Sequence, residues 1–200
     1  MTSTSHKIFG LAALLLAVLF PVYWIGAIGF SLDDTQMAWR KDFMSLDAWD
    51  LVFLIIGTLE IVVYIGLSRY FRHQINGRWA SVLLMVMALL VAVFHSSLLI
   101  DVTIGLGMVE ASTGVLDVMA LAVLIVLFLY SLTLLTLSVV LLAQFPRLSA
   151  LVKVFAVVAA VTAIIQLSVV FSVANLLLFP VLMLIVSFHF FLGENNIEVV

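Results

Sequence analysis

Apolar residues run through this chain in long blocks, broken by short stretches that hold almost all of its charge. Six blocks, at residues 8–30, 50–70, 79–100, 114–142, 149–171 and 173–192, stand out. A hydrocarbon core about 30 Å thick is crossed by roughly 20 helical residues rising about 1.5 Å each. The pattern therefore predicts an all-α, polytopic integral membrane protein, a six-transmembrane-helix bundle forming a single domain over residues 1–200. The fourth block is long enough to tilt or to emerge from the bilayer. The fifth and sixth, separated by little more than Ser172, should form a tight helical hairpin.

Residues 31–49 form the one long loop, on the outer side. Trp39, Phe43 and Leu46 fall there at i, i+4 and i+7, with Arg40, Lys41, Asp42 and Asp47 at other positions. This is the pattern of a short interfacial helix, with Asp33 or Asp34 placed to cap it. It reads first as a link between spans and second as a lid or docking surface. Trp24, Trp39, Trp49 and Trp79 fall near the expected interfaces, where indole rings anchor.

Composition narrows the class. Of 200 residues, 66% are apolar and 10% charged, against about 45–50% and about 25% in soluble domains. Mean hydropathy is +1.38. Eight Lys and Arg with a net charge of −3 argue against nucleic-acid binding. The lack of cysteine excludes thiol redox relays and Cys-ligated metals. Lys7, Arg69, Arg72, Arg78, Arg147 and Lys153 fall on one side, against Arg40 and Lys41 on the other. The positive-inside rule then places both termini in the cytoplasm. The first block reads as a retained helix, since apolar residues continue past Pro21 and no clear A-x-A cleavage site follows.

Two prolines fall inside spans. Pro21 lies in an outward-running helix and Pro180 in an inward-running one, both about 19 Å from the inner face. Each removes a backbone hydrogen bond and displaces the carbonyl four residues back, that of Ala17 or Leu176. Paired kinks at one depth would open a cavity in the outer half; independent packing kinks are the alternative.

Polar side chains inside the membrane carry the candidate chemistry, because an ionisable residue at a helix centre costs about 2.5–3.5 kcal/mol on insertion scales. Glu60 stands near the midpoint of the second span, with Tyr64 one turn further on the same face. It is either a proton, cation or ligand site, or an interhelical hydrogen bond that fixes packing. His95 lies about 22 Å up from the inner end of the third span. Asp101, Asp117, Gln166, Asn175, Tyr23 and Trp24 reach similar heights, so five helices bring polar groups to the outer half. Tyr130, Ser131, Thr133, Thr136 and Ser138 of the fourth span read as packing hydroxyls. Gly26, Gly29, Gly57 and Gly66 allow close helix approach.

Depth also tests specific reactions. His189 lies about 6 Å from the inner face, too far from His95 for the two to share a haem iron. H-E-x-x-H, G-x-S-x-G and Walker-A patterns are absent. Lys153 is too near a span end for a retinal Schiff base. A metal held by His95 with Asp101 or Asp117 stays open on chemistry alone. No catalytic residue, metal ligand or cofactor is assigned, and the chain reads as non-enzymatic.

Three short motifs carry a resemblance. They are Leu59-Glu60 in the second span, Arg69-Tyr70-Phe71-Arg72 at its end, and the turn Phe145-Pro146-Arg147-Leu148 before a closing helical pair. With the six-span layout they resemble a family of uncharacterised bacterial six-helix inner-membrane proteins, a domain family of unknown function. The resemblance implies a bacterial cytoplasmic membrane and no catalytic residues. The leading expectation is a protein, surrounded by bilayer lipid, that binds a small or lipidic ligand or a membrane protein partner. Binding would use an outer-half cavity between spans one and six, with Glu60 and His95 as polar anchors. A small proton-coupled transporter using Glu60 and an accessory subunit of a larger membrane complex are the alternatives.

Overall fold

Hydrogen-bonded caps and turns fix where the apolar blocks become helical. The structure, a computed structural model, describes residues 3–33, 47–74, 77–110 and 112–192. Within these lie α1 (Ser3–Asp33), α2 (Ala48–Gln74), α3 (Arg78–His95), α4 (Leu98–Gly105), α5 (Thr113–Leu142), α6 (Ala150–Leu167) and α7 (Asn175–Leu192). At the start of α2, the Trp49 amide donates to Asp47 Oδ1 at 2.6 Å and the Asp47 amide to Asp50 Oδ2 at 2.8 Å. This reciprocal capping box moves the helix start two residues ahead of the expected 50. Ser112 caps α5 by accepting from the Val115 amide.

Two expectations about boundaries change. The third span is not one helix: α3 ends at His95, a turn at Ser96–Ser97 follows, and α4 continues to Gly105. Ser96 Oγ donates to the Val93 carbonyl at 2.7 Å, competing with the helical ladder there. The fifth and sixth spans do not meet at Ser172 alone, because a 3-10 segment, Val169–Ala174, lies between α6 and α7. Asp33 is the last residue of α1. The expected interfacial helix, with Trp39, Phe43 and Leu46, lies outside the described residues.

Six segments are long and apolar enough to cross a membrane: Ser5–Gly26, Ala48–His73, Arg78–Gly105, Thr113–Leu142, Ala150–Leu167 and Asn175–Leu192. No more than 44% of any of these apolar windows is buried inside the protein. Large apolar side chains such as Leu89, Leu121 and Leu177 point outward instead. In water that surface would be untenable, whereas lipid tails solvate it as well as a protein core does. The chain is a multi-pass membrane protein in contact with the lipid bilayer.

The helices close into a ring. α1 packs on α2, α2 on α3, α3 on α5, α5 on α6, α6 on α7, and α7 returns to α1. Arg69, Arg72, Arg78 and Lys153 mark one end of this ring, the basic end, while Asp47, Asp50, Asp101, Glu110 and Asp117 mark the other, the acidic end. Small and hydroxyl residues bring neighbours close. Ser187 Oγ donates to the Gly10 carbonyl at 2.9 Å, tying α7 to α1, and Ser68 Oγ lies 2.8 Å from Ser81 Oγ, tying α2 to α3. Ser131, Thr133, Thr136 and Ser138 of α5 each donate to the carbonyl four residues back, as hydroxyls packed in a membrane helix do.

The basic half of the ring is solid. Leu16, Val63, Leu84, Met87, Leu137 and Met183, from five helices, are completely buried there, and Ala156, Ala159 and Ala163 let α6 approach them closely.

Candidate functional site

Toward the acidic end the ring opens into a cavity of about 400 Å³, to which all six spans contribute. Its wall is largely aromatic. Phe20 of α1 faces Phe179 of α7 with ring centroids 4.3 Å apart, and Tyr23 lies 5.6 Å from Phe53 of α2. Each of the two opposed phenylalanines immediately precedes a proline, Pro21 or Pro180, inside an uninterrupted helix. The equal depth expected of the two prolines thus corresponds to a ring contact between adjacent helices.

Glu60 lies on the cavity wall near mid-height, 6% exposed. Tyr64 Oη donates to Glu60 Oε1 at 2.8 Å, and Tyr130 Oη of α5 donates to the same oxygen at 2.9 Å. The two tyrosine hydroxyls also touch each other. Glu60 therefore joins α2 to α5 across the lumen, and the cost of placing a carboxyl in the membrane is offset by two donors.

His95 closes α3 against α2. Its ring stacks on Phe53, centroids 4.2 Å apart, and sits over Gly57. A Cβ built on Gly57 would fall 2.5 Å from His95 Cδ2 and 2.8 Å from Nδ1, so this close approach requires glycine. Gly66 serves Phe9 of α1 in the same way. His95 Nδ1 lies 2.9 Å from the Val91 carbonyl. A carbonyl can only accept, so Nδ1 carries the proton and Nε2 is left as an acceptor. At the rim, Asn175 Nδ2 donates to Gln166 Oε1 at 3.4 Å, linking the start of α7 to the end of α6.

Six of the eight side chains singled out by depth therefore line one cavity: Glu60, His95, Gln166, Asn175, Tyr23 and Trp24. Two do not. Asp101 is buried in α4 away from the cavity lining, and Asp117 is exposed near the start of α5. Among the described residues, no three of His, Cys, Asp or Glu gather closely enough to hold a metal ion. Tyr130, read from sequence as a packing hydroxyl, is a direct partner of Glu60. A signal was present, since Tyr130 stands about as many residues from the basic end of α5 as Glu60 does from that of α2.

Comparison with protein-family models, with curated proteins and with solved structures gave no match. Of the resemblance noted above, the six long apolar helices stand, and no family is identified.

Proposed function

We propose that this membrane protein takes a small, largely apolar molecule into the lumen of its helix ring from the acidic end. One observation carries the reading: a cavity of about 400 Å³, lined by all six spans and apolar except for a few polar groups, above a basic half packed but for a void of about 10 Å³. Ligand sites are concave, mostly apolar, and about 300–1,000 Å³ in size. Glu60, His95, Gln166, Asn175, Tyr23 and Trp24 are its polar contacts, and the residues beside Pro21 and Pro180 form the wall between α1 and α7. By the positive-inside rule the cavity belongs to the outer half of the membrane, with both termini cytoplasmic, and the resemblance adds that this membrane is a bacterial inner membrane. Trp24 supplies the test. With Trp39, Trp49 and Trp79 changed to Phe, titration of a medium-chain amphiphile in nanodiscs should give a saturable change in Trp24 fluorescence. A purely linear, partition-like response to every amphiphile tried would overturn the reading.

A second reading, proton-coupled transport, draws on the bond network at Glu60. A change of charge there alters contacts to both α2 and α5 at once, which is the coupling a carrier needs. Glu60→Gln should then abolish pH-dependent flux in proteoliposomes, and unchanged flux would sink it.

A further inference from the structure

The polar groups of the cavity are unbalanced in a way that specifies its ligand. His95 Nε2 and Asn175 Oδ1 are both buried acceptors without a protein partner, on side chains that line the cavity and are about nine-tenths buried. Burying an acceptor unpaired is costly, and a bound donor removes that cost. Glu60 adds a carboxyl to the same lining, and no Lys or Arg joins it among the described residues. Three donors of the lining are committed, Tyr130 Oη to Glu60, Asn175 Nδ2 to Gln166 and His95 Nδ1 to Val91, and those that remain, the Gln166 amide and the Trp24 indole N–H, carry no charge. Around these acceptors stand the rings of Phe53, Tyr23 and Trp24, with Tyr23 and Trp24 5.4 Å apart and edge to face. Aromatic faces attract cations and repel anions.

We infer that the ligand is an organic amine, an ammonium group on an apolar body, with the nitrogen set among the Glu60, His95 and Asn175 acceptors. The inference rests on the cavity reading above and adds the chemical class. A carboxylate or phosphate amphiphile would meet a carboxyl, acceptor atoms and ring faces with no countercharge. An uncharged alcohol would satisfy the acceptors but gain nothing from the rings or from Glu60. An ammonium ion uses all three.

The experiment compares decylamine, decanol and decanoate on the Trp24-only protein in nanodiscs of zwitterionic lipid, counting only the saturable part of the fluorescence change. Decylamine should bind about tenfold more tightly than decanol, and decanoate should show no saturable response. His95→Phe preserves the ring stacked on Phe53 and removes the acceptor; Asn175→Ala removes the rim acceptor. Each should weaken decylamine and decanol alike, by about three- to tenfold, because both donate to these acceptors, whereas Glu60→Gln should narrow the preference for amine over alcohol to about threefold or less while decanol affinity holds. Equal affinity for amine and alcohol, a preference for decanoate, or an amine preference untouched by Glu60→Gln would overturn the amine assignment and leave the cavity reading standing. The absence of a saturable response to all three would overturn both.

Discussion

The two halves of the helix ring are built from the same kinds of residue and solve opposite problems. In the basic half, leucine, methionine and alanine side chains from the surrounding helices interlock with the buried rings of Phe71 and Phe190 and fill the lumen. In the acidic half, bulky aromatic rings stand edge and face against each other and leave space between them. The difference lies in arrangement. Aliphatic chains and buried rings such as Phe71 and Phe190 together fill the basic half, whereas in the acidic half rings braced by a proline-bearing pair of helices and a glycine-seated histidine line an open space. Apolar content alone therefore says nothing about whether a membrane bundle is solid or hollow.

Substitutions can break this contrast, and the largest effect is expected in the solid half. Leu84→Ala should cost about 2–5 kcal/mol, measured by reversible unfolding in mixed micelles. Leu90→Ala, one to two turns along the same helix on the cavity wall, should cost less than about 1 kcal/mol because it enlarges a space that already exists. Equal costs would mean that the halves do not differ in packing. Next comes the histidine seat. Gly57→Ala forces the His95 ring to move and should lose about 1–3 kcal/mol together with the Trp24 response to ligand. Gly114→Ala, where nothing lies within 4 Å of the added carbon, should stay within about 0.5 kcal/mol of the parent.

Smaller effects sharpen the comparison. Tyr130→Phe deletes one donor to Glu60 and should destabilise by about 0.6–1.7 kcal/mol, the range of hydrogen bonds between membrane helices. Ser187→Ala, which removes the bond to the Gly10 carbonyl in the solid half, should cost about 0.6 kcal/mol and leave ligand binding unchanged. If Ser187→Ala impairs binding as strongly as Tyr130→Phe, the two halves are coupled more tightly than their packing implies.

The sequence made depth legible and left direction hidden, and the reason is physical. A helix facing lipid on one side and protein on the other is apolar on both, so hydropathy carries no azimuth. Counting residues brought Glu60, His95, Gln166 and Asn175 to workable heights, and these four do line the cavity. The same count could not tell that Asp101 and Asp117 face elsewhere. Helix ends moved for local reasons that hydropathy averages over, namely the Asp47–Asp50 capping box and the Ser96 hydroxyl bond. Tyr130 was passed over because a hydroxyl in a membrane helix ordinarily bonds back to its own backbone, as its neighbours Ser131 and Thr133 do. Its reach across to Glu60 depends on α5 facing α2 across the lumen, which is a property of the assembled bundle.

The closure of α7 on α1 has a consequence for biogenesis. Every other packed seam of the ring joins spans that follow one another along the chain, so each can form soon after its second span enters the membrane. The α1–α7 seam must wait until all the intervening spans are in place, and it is held by Phe20 against Phe179, Phe9 against Phe190, and the Ser187 bond to Gly10. Before that seam forms, the lumen is an open gutter facing lipid. The cavity is thus the last thing the ribosome's product acquires, and a molecule that fitted it would favour the finished ring over every shorter intermediate.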